Sequence, residues 1–215
     1  MSSPADPYAG FPPGFFARAD ESPDTDFYGP PRLVTHIDDA AITAVGELYA
    51  ELGFDGSAPR PVRVLDLMSS WVSHFRTPPA ELVVLGMNAA ELAANEAATE
   101  RLVHDLNADP RLPLPDADVD AAVCCVSIDY LTRPVEVLGE VGRVLRPGGT
   151  LAVTFSNRCF PTKAVRGWLL TDDEQHGTLV SELVRRTGLF GEPEVSLRTR
   201  PGRGDPLYAV VARRA

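Results

Sequence analysis

Asp66 closes an apolar run and is followed at once by Met68, Ser69, Ser70 and Trp71, so a carboxylate, two hydroxyls and an indole share one turn. Twenty-two positions on stands Asn88, at the separation where nucleotide-binding α/β domains place an acceptor for ribose hydroxyls. Asp105 and Leu106 follow a further short apolar stretch, Ser127 and Tyr130 another, and Asn157 and Arg158 a fourth. Arg158 has the planar fork that holds a carboxylate or phosphate through two hydrogen bonds. His36, between an aromatic-rich arm and the first helix, is a ring that titrates near neutrality and can serve as a base. No metal centre is expected: Cys124 and Cys125 are adjacent, Cys159 stands alone, and no Cys/His spacing offers zinc four ligands.

Ligands in parallel α/β sheets lie beyond the carboxyl ends of the strands, so these residues need such a sheet behind them. Residues 62–67, 81–86, 120–127 and 150–155 read as buried strands, and 102–106 as a short one. Helices are expected from a capped start at Thr35 to the stop at Gly53, over 89–102, over 134–145, and from a Thr171/Glu174 capping box to about Thr187. Two further strands, near 195–200 and 207–213, are joined by a Gly/Pro turn. The expected class is α/β: a seven-stranded, mostly parallel, doubly wound sheet with an antiparallel C-terminal strand. Residues 1–31, rich in Pro, Gly, Asp and aromatics, form an arm before the domain at 32–215. Exposed Phe side chains are costly, so the second half of the arm is expected to lie on the domain.

Three stretches carry a resemblance: VLDL at 64–67, LPLPDADVDAAVCC at 112–125 and EVGRVLRPGGTLAVTFS at 140–156. In this order and spacing the chain resembles the class I S-adenosylmethionine-dependent methyltransferases of the small, single-domain type that alkylates metabolites. The resemblance implies a Rossmann-like methyltransferase fold, S-adenosyl-L-methionine as cofactor and a small-molecule acceptor. It places Asp66, Met68, Ser69 and Ser70 at the amino-acid end of the cofactor and Asn88 at the ribose. Asp105 falls at the adenine amine, Leu106 against the ring and Ser127 to Tyr130 under the sulfonium. Trp71, Asn157 and Arg158 then face the acceptor, with His36 and Tyr130 as catalytic candidates. Two positions depart from the pattern. The turn after the first strand has no glycine, where a Gly-x-Gly is usual because bare backbone lets the cofactor approach closely. Asn88 stands where an acidic residue is usual and forgoes a charge-assisted hydrogen bond.

Composition narrows the partners. The 215 residues carry 20 basic and 30 acidic side chains, a net charge of −10, which disfavours nucleic acid and other polyanions. No stretch approaches the ~20 apolar residues of a membrane span, and no basic start leads into an apolar run. With so few cysteines, a reducing cytoplasmic setting is expected. The arm could also exchange between the subunits of a homodimer. Two alternatives to methyl transfer stay open: a domain that binds the cofactor for cyclisation, elimination or structural use, and a cofactor-free scaffold.

Overall fold

The fold was taken from a computed structural model, which describes residues 6–215; the first five residues of the expected arm lie outside them. Seven strands form one sheet: β1 (Arg63–Leu67), β2 (Glu81–Gly86), β3 (Glu100–Val103), β4 (Val119–Cys125), β5 (Leu145–Phe155), β6 (Glu194–Leu197) and β7 (Tyr208–Arg213). Their order is β3-β2-β1-β4-β5-β7-β6. The pairings among β1 to β5 are parallel, whereas β7 runs antiparallel between β5 and β6. Strand order therefore reverses between β1 and β4, which opens a crevice at their carboxyl ends. The central strands are nearly continuous apolar runs because helices cover both faces of the sheet.

Six helices complete the fold: α1 (Asp24–Tyr28), α2 (Asp39–Glu51), α3 (Ala89–Ala94), α4 (Pro134–Val144), α5 (Arg166–Leu169) and α6 (Asp173–Arg186). On one face, Leu138 and Val141 of α4 and Leu183 and Val184 of α6 pack with Leu65, Val83 and Val153. On the other, Val45, Leu48 and Tyr49 of α2 pack with Val64, Val84 and Val123.

Local chemistry moves several expected boundaries. α2 is capped by Asp38, whose carboxylate accepts the Ala41 N–H at 2.9 Å, and not by Thr35. The capping box of α6 lies at Asp172/Gln175, one residue beyond the Thr171/Glu174 pair, because Thr171 spends its hydroxyl on the carbonyls of Gly167 and Trp168. The expected helix over 89–102 is only one and a half turns long. Asn95 leaves helical geometry to donate to the Ser70 carbonyl and Ser73 Oγ, and Arg101 then caps the freed carbonyls of Leu92 and Asn95. His176 of α6 is buried and stacked on Trp168 with ring centroids 3.7 Å apart.

The arm is held to the body by main-chain bonds and a buried charge cluster. Asp20 N–H reaches the Thr162 carbonyl at 2.9 Å, and the N–H groups of Arg166 and Gly167 reach Ala17 and Phe15 at 2.8 and 2.7 Å. Lys163, the chain's single lysine, is 0% exposed and bonds the Ser22 carbonyl at 2.8 Å, with Asp24 at 3.2 Å and Asp20 at 3.3 Å. Arg18 grips both oxygens of Asp24 at 2.7 and 2.8 Å. Burial alone would push the Asp24 carboxyl up in pKa, but the bonds from Arg18, Asn107 and Lys163 outweigh it and hold it low. Lys163→Met is expected to cost about 2 kcal/mol, below the ~3–5 for breaking an isolated buried pair, because Arg18 still neutralises Asp24. Hydrogen-exchange mass spectrometry should then show faster exchange across residues 17–28 with β1, β2 and β4 still protected.

Candidate active site

A cavity of about 500 Å³ opens at the carboxyl ends of β1, β2 and β4, within the range of ~300–1,000 Å³ usual for small-molecule sites. Every residue singled out in the sequence lines it: His36, Asp66, Met68, Ser69, Ser70, Trp71, Asn88, Asp105, Leu106, Ser127, Tyr130, Asn157 and Arg158.

The glycine-free turn is built by other means. Met68 itself takes the left-handed conformation, φ 56°, which a glycine would enter without steric cost. The turn packs closely on a glycine of the neighbouring strand: a Cβ on Gly86 would sit 2.2 Å from the Ser69 carbonyl oxygen. That close approach lets the Ser69 N–H bond the Leu85 carbonyl at 2.7 Å. Ser69 Oγ donates to Asp66 at 2.6 Å and Ser70 Oγ to Glu91 at 2.5 Å, so both serines orient carboxylates. Trp71 donates its indole N–H to the Val34 carbonyl at 3.1 Å, tying the turn to the segment that follows the arm. Met68 and Trp71 thus form walls of the cavity and leave it open. Val126, at the end of β4, also has φ 46°, a strained conformation for a β-branched residue at the floor of the site.

Asp66 is buried, and burial pushes its carboxyl up to about 6 against the lowering effect of hydrogen bonds from Ser69 and Ser73. Among the described residues no cation pairs with it. Asp105 accepts the N–H groups of Asn107 and Ala108 at 2.9 and 3.1 Å, closing a turn that presents Leu106 to the cavity. Ser127 donates its hydroxyl to the Cys125 carbonyl at 2.6 Å.

Asn88 takes the helix-cap role that its position allowed beside a ribose contact. Its Oδ1 caps α3 by accepting from Ala90 and Glu91, and its Nδ2 donates to the carbonyls of Tyr28 and Gly29 at 2.9 Å each. The amide is committed on both sides as a cap and arm tether, so its oxygen is not free for a ribose hydroxyl. Glu91, one turn into α3, brings a carboxylate into the same part of the cavity.

Tyr130 accepts the Phe160 N–H at 2.9 Å, and burial drives its phenol far above the ordinary range. It keeps its proton and orders the wall; it is not a base. His36 stands edge-on to Phe160, with centroids 5.2 Å apart. Surrounding protein presses its pKa below the usual value, Glu91 opposes this and Arg32 reinforces it. The ring is neutral at pH 7 and can accept a proton. Asn157 and Arg158 are exposed at the rim.

Sequence reasoning missed Tyr28, Arg32, Glu91 and Phe160, which complete the cavity wall. It also missed Asn107, whose Nδ2 bonds Asp24 and the Tyr130 carbonyl while its Oδ1 accepts from Thr132, joining arm and strand-end loops. A signal existed for Glu91, the one acid in the first turn of α3, and for Lys163, a lone lysine among nineteen arginines.

Residues 69–153 match the family model described as a methyltransferase domain. Over that stretch the chain is similar to methyltransferase domains. A curated relative from Mycolicibacterium smegmatis, a probable S-adenosylmethionine-dependent methyltransferase, is 47% identical over 47 residues; that stretch spans 22% of this chain and 18% of the relative. Solved structures agree in fold. A methyltransferase dependent on the same cofactor from Aquifex aeolicus superposes with a TM-score of 0.58 at 16% identity, over 83% of this chain and 95% of its own. The [4+2]-cyclase SpnF superposes at 0.55 and 16% identity, over 86% of this chain and 89% of its own. Among the described residues, no helix is long and apolar enough to cross a membrane, and no group of three His, Cys, Asp or Glu side chains could hold a metal ion.

Proposed function

We propose that this chain transfers the methyl group of S-adenosyl-L-methionine to a small-molecule acceptor held beneath the N-terminal arm. The observation that carries the reading is the buried Asp66 carboxyl, raised to about 6 and without a cation, at the head of an open cavity at the strand-order switch point. The donor and acceptor set fits the cofactor. Asp66 would hold its amino group, Glu91 its ribose hydroxyls and Asp105 its adenine amine, with Leu106 against the ring. When bound, the cofactor supplies a methyl group on a sulfonium, a carbon whose leaving group is a neutral thioether.

The chain's own work is positioning and exclusion of water. The Trp71–Val34 bond and the Asn88 tethers to Tyr28 and Gly29 close the arm side of the cavity. His36, neutral and at the rim, takes the proton of a hydroxyl acceptor. His36→Ala is then expected to lower turnover about a hundredfold, the lower end of what a positioned base contributes, and to leave the dissociation constant for S-adenosylhomocysteine unchanged. Single-turnover kinetics beside calorimetry separates the two effects.

Calorimetric titration with S-adenosylhomocysteine, followed by incorporation of labelled methyl from the cofactor into a metabolite pool, tests the whole reading. Absence of binding would remove it. A second reading, in which the cofactor is bound and no methyl is transferred, draws on the unusual serine-lined turn. It would be marked by thermal stabilisation with S-adenosylmethionine and no labelled product from any acceptor.

A further inference from the structure

The cavity is divided by charge. Three of its carboxylates, Asp66 at the end of β1 and Glu91 and Asp105 after β2 and β3, lie on the side assigned above to the cofactor. The opposite side, between the arm and the segment after β5, is lined by Tyr28, Tyr130, Phe160, Arg32 and Arg158. Tyr130 lies between two of these rings, with centroids 6.4 Å from Tyr28 and 5.9 Å from Phe160. The Arg32 guanidinium is stacked 4.7 Å over the Phe27 ring and 5.6 Å from Phe160, and it donates to the Phe27 carbonyl at 2.8 Å.

Among the described residues, Arg32 and Arg158 are the two arginines that line the cavity. Arg18, Arg63, Arg143 and Arg146 are each paired with a carboxylate. Among the described residues, neither Arg32 nor Arg158 has an acidic partner. The Glu91 carboxylate beside Arg32 accepts the Arg32 main-chain N–H at 2.7 Å, and the guanidinium, which bonds the Phe27 carbonyl, has no carboxylate partner. The one acid on this side, Asp24, is already neutralised by Arg18 and Lys163. Two guanidinium groups without a carboxylate partner thus line one cavity with three aromatic rings, in a protein of net charge −10.

From this we infer that the acceptor is a flat aromatic acid, its ring against Tyr28, Tyr130 and Phe160 and its carboxylate held by Arg32 and Arg158. The inference rests on the cofactor reading above and adds the acceptor's class. A planar ring matches the wall by stacking and edge contacts, and a carboxylate matches a guanidinium by paired, charge-assisted hydrogen bonds. A cationic acceptor would meet the like charge of Arg32, which stands 5.6 Å from the Phe160 ring, and of Arg158.

The test uses the full chain saturated with S-adenosylhomocysteine, titrated calorimetrically with 3- and 4-hydroxybenzoate and with the two matching hydroxybenzamides. At least one acid is expected to bind tenfold or more tightly than its amide. Arg158→Gln, at the exposed rim where folding is not at stake, should abolish that preference, and Arg32→Gln should do the same. Arg158→Lys should retain part of it, since a point charge survives without the fork. Equal binding of acids and amides, or no binding of either, overturns the inference while the cofactor reading stands. Failure of S-adenosylhomocysteine itself to bind removes both.

Discussion

Asp66→Asn is expected to raise the thermal midpoint of the ligand-free protein and to weaken S-adenosylhomocysteine binding about a hundredfold. The two effects share a cause. Burial lifts the folded-state pKa to about 6, whereas an unfolded aspartate titrates near ~3.9. The folded chain therefore holds a proton that the unfolded chain releases between these values. Stability from this group is fully present below about pH 4 and is lost as pH rises to about 6, by up to ~3 kcal/mol. Asparagine removes that loss. Allowing for weaker bonds from Ser69 and Ser73, a gain of about 1–2 kcal/mol at pH 8 is expected, or a midpoint higher by ~3–8 °C for a chain of this size. The ligand sees the reverse. Its amino group meets a neutral amide in place of a carboxylate, and losing a charge-assisted bond costs ~1.5–3 kcal/mol, which is roughly ten- to a hundredfold or more in affinity. In the unsubstituted protein, affinity should fall about tenfold per pH unit below 6, because the carboxyl must first lose its proton. The variant should be flat over that range. Scanning calorimetry and isothermal titration from pH 5 to 8 check both halves.

Gly86→Ala should be the most damaging single-methyl change in the site. The added Cβ would stand 2.2 Å from the Ser69 carbonyl oxygen, a main-chain atom with no rotamer to retreat into. Relief requires moving the turn that carries Met68, Ser69 and Ser70, and with it the Ser69–Leu85 bond at 2.7 Å. Overpacking of this kind costs about 3 kcal/mol, so the midpoint should fall by ~6–12 °C. Binding of S-adenosylhomocysteine should be lost in the same variant even at temperatures where it is folded. A control is Gly139→Ala on α4, where an added Cβ meets nothing within 4 Å; it should be neutral or slightly stabilising by helix propensity. Equal behaviour of the two variants would mean that Gly86 does not shape the turn.

The architecture was legible from the residues alone. Runs such as ELVVLG and DAAVCC can only be strands buried on both faces, and alternation with amphipathic helices forces a parallel, doubly covered sheet. The site's location followed, because the carboxyl ends of β1, β2 and β4 are fixed once strand order is. Helix ends were less legible: at Thr35, at Asp172 and at Asn95 the outcome turned on which of several neighbouring polar side chains won a main-chain N–H.

Residue types and their spacing determined the sheet, the crevice and the set of side chains around it. Tertiary structure alone decided how those side chains are used. The missing Gly-x-Gly read as a deficit of the turn alone, yet the turn's shape depends on Gly86, across a strand pairing that no local pattern reveals. Asn88 read as a ribose contact until the arm, some sixty residues earlier in the chain, claimed its amide. Lys163 gains its role only in the folded arm, which encloses it with Asp20, Ser22 and Asp24. Each of these depends on contacts distant in sequence, and propensity and periodicity carry information only about near neighbours.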